Sequence, residues 1–91
     1  MNHETMLEML KIDLGITTDA YNPRLNQVLD VADAEIRREG ATNLDPSSSV
    51  RDANLVIMYA GYLWRKRDTM DGMPRMLRWA LNNRVFGEKM V

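Results

Sequence analysis

From about Ser48 to Asp68 the chain carries two apolar stripes at helical spacing at the same time. Ala53, Val56, Ile57, Ala60, Leu63 and Trp64 share one face of a 3.6-residue period, and Leu55, Met58, Tyr59 and Tyr62 share another. A helix that is apolar on two faces is either central to its fold or shared with a neighbour. The chain has 91 residues, one domain's worth. A domain of that size buries only about two-thirds of its unfolded surface. The remaining segments must cover this helix, or a partner must.

Three other segments read as helices. The first runs from about Thr5 to Leu14. Thr5 and Glu8 have the spacing of a capping box, Met6, Leu7, Leu10 and Leu14 form its stripe, and Gly15 stops it. The second starts at Thr18 or at Asn22, the latter with Pro23 at the first helical position, and ends near Glu39. Its stripe is Tyr21, Leu25, Val28, Leu29, Ala32 and Ile36. The fourth follows a turn over 68–72, with Pro74 in its first turn and Met73, Met76, Leu77, Ala80 and Leu81 as its buried stripe. Arg75, Arg78, Asn82 and Arg84 are expected on its exposed side, and residues 83–87 are expected to close it. Asn43, Asp45, Pro46 and three serines mark 40–49 as a flexible loop, with Ser49 and Asp52 spaced as a cap for the third helix. The expected architecture is all-α: one domain over 1–91, a small bundle of four helices around a long central third helix.

Catalytic patterns are sparse. The chain lacks cysteine, which removes disulfides, thiolate chemistry and cysteine-bound zinc. His3 is the only histidine, too isolated for a metal site or a general base. Asp30 with Asp33, and Glu35 with Glu39, pair on the polar side of the second helix, where a solvated face is the simpler reading. Ser47, Ser48 and Ser49 have no histidine to activate them. Neither glycine-rich phosphate cradle occurs. No catalytic residue, cofactor or metal ligand is expected. The opening residues MNHETMLEML carry Glu4 and Glu8 without a basic start, unlike a signal peptide. No apolar run is long enough for a membrane span.

Charge is unevenly placed. Residues 1–60 hold five basic and ten acidic side chains, whereas 61–91 hold seven basic and three acidic ones. Unlike halves on one small chain favour a charged partner, and another copy is one candidate. Arg65, Lys66, Arg67, Arg75 and Arg78 are therefore candidates for contacting a neighbour's carboxylates, with the second helix as one source. Leu55, Met58, Tyr59 and Tyr62 are candidates for packing across a subunit boundary. The basic zone also fits a nucleic-acid-binding regulator, although Asp68 and Asp71 interrupt it and no recognition helix follows a short turn. Trp64 and Trp79 are read as core residues. A helical adaptor for a single partner is a further reading.

Three blocks carry a resemblance. The first is MLEMLKIDLGI over 6–16, followed by Thr17 to Tyr21; the second is VIMYAGYLWRKRD over 56–68; the third is GMPRMLRWALNNR over 72–84. Together, and in this order, they resemble the small head–tail connector proteins of tailed double-stranded-DNA bacteriophages, also called adaptors or DNA-packaging connectors. The resemblance covers nearly the whole chain, with 40–49 its least characteristic part. It implies a helical subunit of a phage or prophage that forms a ring of twelve-fold order below the portal protein. Such a ring extends the DNA channel and docks the next neck or tail completion protein, with non-specific contact to passing DNA as an option. It implies a place in the virion neck, and in the host cytoplasm during assembly, with no membrane partner. The family carries no catalytic residues to transfer.

Overall fold

The computed structural model describes residues 1–66 and 72–89, without the side chain of Lys89. All regular structure among these residues is helical: α1 His3–Leu14, α2 Asn22–Arg38, α3 Val50–Lys66 and α4 Arg75–Lys89. The all-α expectation holds. α2 and α3 are both 17 residues long, so α3 is distinguished by position and not by length.

α1 begins three residues earlier than its capping-box spacing indicates. Asn2 is the N-cap, and its Oδ1 accepts from the Thr5 backbone N–H at 2.7 Å. Asparagine caps at least as well as threonine, so the earlier residue takes the role. Gly15 ends the helix at φ 70°, where its N–H reaches the α1 carbonyls. Of the two starts considered for α2, the one at Asn22 is adopted, with Pro23 in the first turn. No side chain caps it. Asp19 is committed elsewhere, accepting from the buried Lys11 Nζ at 2.7 Å. Ser49 caps α3, its Oγ accepting from the Asp52 N–H at 3.2 Å. α4 does not close at 83–87. It runs on through Gly87 to Lys89.

α3 is the helix that all the others touch. α1 and α2 pack on it and on each other, and α4 packs principally on α3. Leu10, Leu25, Leu29, Ile36, Val56 and Leu81 are fully buried, each worth about 1.5–3 kcal/mol of transfer free energy. Both α3 stripes contribute to this core: Ala53, Val56, Ile57 and Ala60 from one, Leu55 and Tyr59 from the other. The Cα envelope measures 42 × 31 × 17 Å, a slab two helices thick.

The 40–49 segment, expected to be flexible, contributes Ala41 and Leu44 to the core. Arg37 donates to the Thr42 and Leu44 carbonyls at 3.3 and 2.6 Å, and Glu88 of α4 accepts from Thr42 Oγ1 at 2.5 Å and from the Asn43 N–H at 2.8 Å. Gly40 allows the chain to leave α2 at φ 130°, with the position of a Cβ only 2.9 Å from Val85 Cγ1 of α4. Only glycine fits a positive φ at that approach.

Candidate functional site

The nine interface candidates separate into three groups. Leu55 and Tyr59 lie in the chain's own core. Tyr59 sits between α2 and α4. Burial raises its hydroxyl above the usual tyrosine value, and the nearby carboxylates Glu35 and Glu39 raise it further. Its ring meets Tyr62 edge-on, with centroids 5.9 Å apart. Met58 remains 41% exposed and Tyr62 is half-buried, so these two are the outward remnant of the second α3 stripe. The basic candidates are spread along the surface. Arg65 donates to the Asp13 carbonyl at the end of α1, Lys66 lies 5.7 Å over the Tyr62 ring, and Arg78 approaches Glu39 of α2 at 3.9 Å. Arg75 is exposed at the start of α4. Arg67 and the turn residues 67–71 lie outside the described residues.

α4 holds the largest departure from expectation. Leu77 and Leu81 are buried, but Met76 is 69% exposed and Trp79 and Phe86 are each 64% exposed. Trp79 is therefore not a core residue, and Met76 does not belong to the buried stripe. Positions 76, 79, 83 and 86 follow helical spacing and lie opposite 77 and 81. A helix that packs on one neighbour can bury only one of two opposed stripes. The signal was present in the sequence as a second period on the same helix. Trp64, by contrast, is half-buried, edge-on to Tyr21 at 5.8 Å.

Beside this stripe runs an open groove of about 590 Å³ between α3 and α4. Leu55, Met58, Trp79 and Ala80 give it an apolar lining, and Arg51, Asn54 and Asn83 a polar one. One end is fixed by an ion network. Arg84 was expected on the exposed side, yet its Nε donates to Asp52 Oδ1 at 2.7 Å, its Nη2 to Asp52 Oδ2 at 3.4 Å and its Nη1 to Glu88 Oε2 at 3.0 Å. Asp52 is buried and also accepts from the Asp45 N–H at 3.0 Å. Burial pushes the Asp52 carboxyl up, but the Arg84 and Asp45 hydrogen bonds and the Arg84 charge outweigh it, leaving the group below the usual carboxylate range. Glu88 is lowered too: the Thr42 hydroxyl is the largest cause, desolvation opposes it, and the Asn43 N–H and Arg84 tip the balance further down. The three charges fasten α4, α3 and the 42–45 segment together, which makes them a structural clasp.

Among the described residues no group of three or more His, Cys, Asp or Glu side chains converges to hold a metal ion. His3 shares a hydrogen bond with Asn26 Oδ1 at 2.8 Å. Ser47 donates to Asp45, and Ser49 is the α3 cap. Among the same residues no helix is long and apolar enough to cross a membrane. The surface feature with most to explain is the exposed α4 stripe and its adjoining groove, whose chemistry is that of a packing surface. No family model, no curated protein and no solved structure matches the chain.

Proposed function

We propose that the chain is a non-catalytic structural subunit of a phage or prophage head–tail connector. It assembles with copies of itself into a ring below the portal protein and presents a docking surface to the next neck or tail component. The observation that carries this reading is the α4 stripe. Three large apolar side chains on one 15-residue helix stand about two-thirds exposed beside an apolar-lined groove. Isolated exposed apolar residues need no explanation, but a contiguous patch marks an interaction surface. The three blocks that resemble connector proteins support the same reading. They fall on α1 with the link to α2, on the second half of α3, and on the first part of α4.

The alternative is a nucleic-acid-binding regulator that uses the exposed Arg65, Lys66 and Arg75. Among the described residues of this zone, Arg78 and Arg84 already pair with carboxylates within the chain, which lowers the positive charge left for phosphates and favours the structural role.

Absolute mass by light scattering, across concentration and salt, tests the proposal. One chain is 10.5 kDa, and growth to a closed species of about twelve chains is expected for a rotational ring. A strict monomer at every concentration would overturn the self-assembling role. DNA binding that weakens steeply with salt would favour the alternative.

A further inference from the structure

We infer that the acidic outer face of α1 in one copy seats on the exposed α4 stripe and α3–α4 groove of the next copy. This rests on the self-assembly proposed above and names the two surfaces that would make it.

The stripe needs an apolar occupant, and α1 offers one. Ile12 is 71% exposed and Met9 is exposed beside it, while Leu7 and Leu10 face the core. Helical spacing sets Glu8 on one side of this pair and Asp13 on the other, with Glu4 one turn before Glu8. All three carboxylates are exposed. The one lysine of α1, Lys11, is turned inward and bound to Asp19. The outer face of α1 itself is therefore apolar at its centre and anionic at its edges, apart from the partnered His3 at its start, with Arg65 of α3 reaching the Asp13 end.

The α4 surface has the opposite sign. Arg75 is exposed along one border of the stripe, next to Arg78, whose charge is shared with Glu39 of α2, and Arg51 lies on the groove. At the groove's end Arg84 pairs with both Asp52 and Glu88, which leaves that network one negative charge in excess.

Sign decides among the pairings available to two copies. α4 against α4 would bring arginines together, and α1 against α1 would bring carboxylates together; like charges facing each other work against an interface. α2 is a weaker candidate than its acidity implies. Its Asp33, Glu35 and Glu39 are already paired with Arg37, Arg38 and Arg78 in the same chain. α1 against α4 joins anionic to cationic borders and apolar centre to apolar centre. The two patches belong to different helices, so the contact is heterologous and each copy keeps one patch free for a further copy.

The chain has no cysteine, so introduced thiols report contacts without background. The test is cross-linking of purified full-length Thr5→Cys, Asn82→Cys and the double variant, which flank the two patches and leave their apolar side chains in place, with a short bis-maleimide, alongside light scattering of the unmodified chain. Both positions are exposed, and circular dichroism checks that each variant folds. A ladder of dimers, trimers and higher species from the double variant is the expected result. Each single variant alone should give no ladder, and a mixture of the two singles should stop at dimers. Strong dimers from Asn82→Cys alone would mean that α4 pairs with itself, which overturns the inference. Assembly by light scattering without a ladder would also overturn it, while leaving self-assembly intact. A monomer throughout would sink both.

Discussion

Replacing Arg84 by methionine is the most direct test of what holds α4 in place. Methionine keeps most of the arginine stem's packing and removes the guanidinium. The side chain makes two hydrogen bonds to the buried Asp52 carboxylate and one to Glu88. Bonds to charged groups contribute about 1.5–3 kcal/mol each when buried. Arg84 retains partial exposure, so water discounts that sum. Against the discount, Asp52 is left as a buried carboxylate that keeps its Asp45 N–H but loses its counter-charge. The net cost works out at about 3 kcal/mol, a large share of the roughly 5–15 kcal/mol that holds a domain folded. It corresponds to a Tm lower by about 15 °C. Asp52→Asn should cost about 2 kcal/mol, and the double variant about 3, a coupling of about 2 kcal/mol. Urea melts followed by far-UV circular dichroism, at concentrations where light scattering reads a single chain, provide the numbers. A coupling below about 0.5 kcal/mol would refute the clasp, because independent residues add.

Acid provides a second reading of the same network. Asp52 and Glu88 are held below their ordinary values in the folded chain. Their contribution is therefore complete above the unfolded carboxylate values of about 4 and is lost as pH falls through the lower folded ones. The stability gap between wild type and Arg84→Met should be full at neutral pH and narrow below about pH 4; an unchanged gap at pH 3 contradicts the assignment.

Two further substitutions discriminate between neighbouring residues. Gly40→Ala should cost about 3 kcal/mol, since a positive φ and the close approach to Val85 add. Gly15→Ala, with φ 70° and open space around it, should cost about 1 kcal/mol, and equal thermal shifts would show that the Val85 approach is harmless. Asn2→Ala should cost about 1 kcal/mol through the lost cap while Thr5→Ala costs little; the reverse order in denaturant melts would restore the capping-box start.

Much of this architecture was legible because helical periodicity is a local property. The stripes of α2 and α3, the Gly15 stop and the Ser49 cap each depend on residues within a few positions of one another. Leu44 and Ala41 were not legible, because they enter the core from a segment without a period, carried there by the chain's exit at Gly40. Arg84 was misassigned for a related reason. Its partner Asp52 is 32 residues away in sequence, and no spacing rule connects them. Met76 and Trp79 were misassigned because a helix with two apolar stripes does not reveal which one its neighbour will cover. That choice depends on how many helices surround it, and α4 has one principal neighbour. Tyr59 and Leu55 show the converse: their stripe reads as a surplus face, yet these two side chains are buried within the chain while Met58 and Tyr62 stay outward.

The attachment of α4 mainly to α3 also divides the molecule by cooperativity. α1, α2 and α3 pack against one another pairwise, so none of them opens without disturbing the others. α4 can lift away after breaking the Arg84 clasp, the Arg78–Glu39 contact and the seats of Leu77 and Leu81, leaving Leu10, Leu25 and Leu29 packed. Its amide protons should then exchange with solvent through a sub-global opening, ahead of the slow class in the other three helices. A neighbour bound across α4 would close that route, so slowed exchange in this one segment would report occupancy of its outer face without any label on the partner.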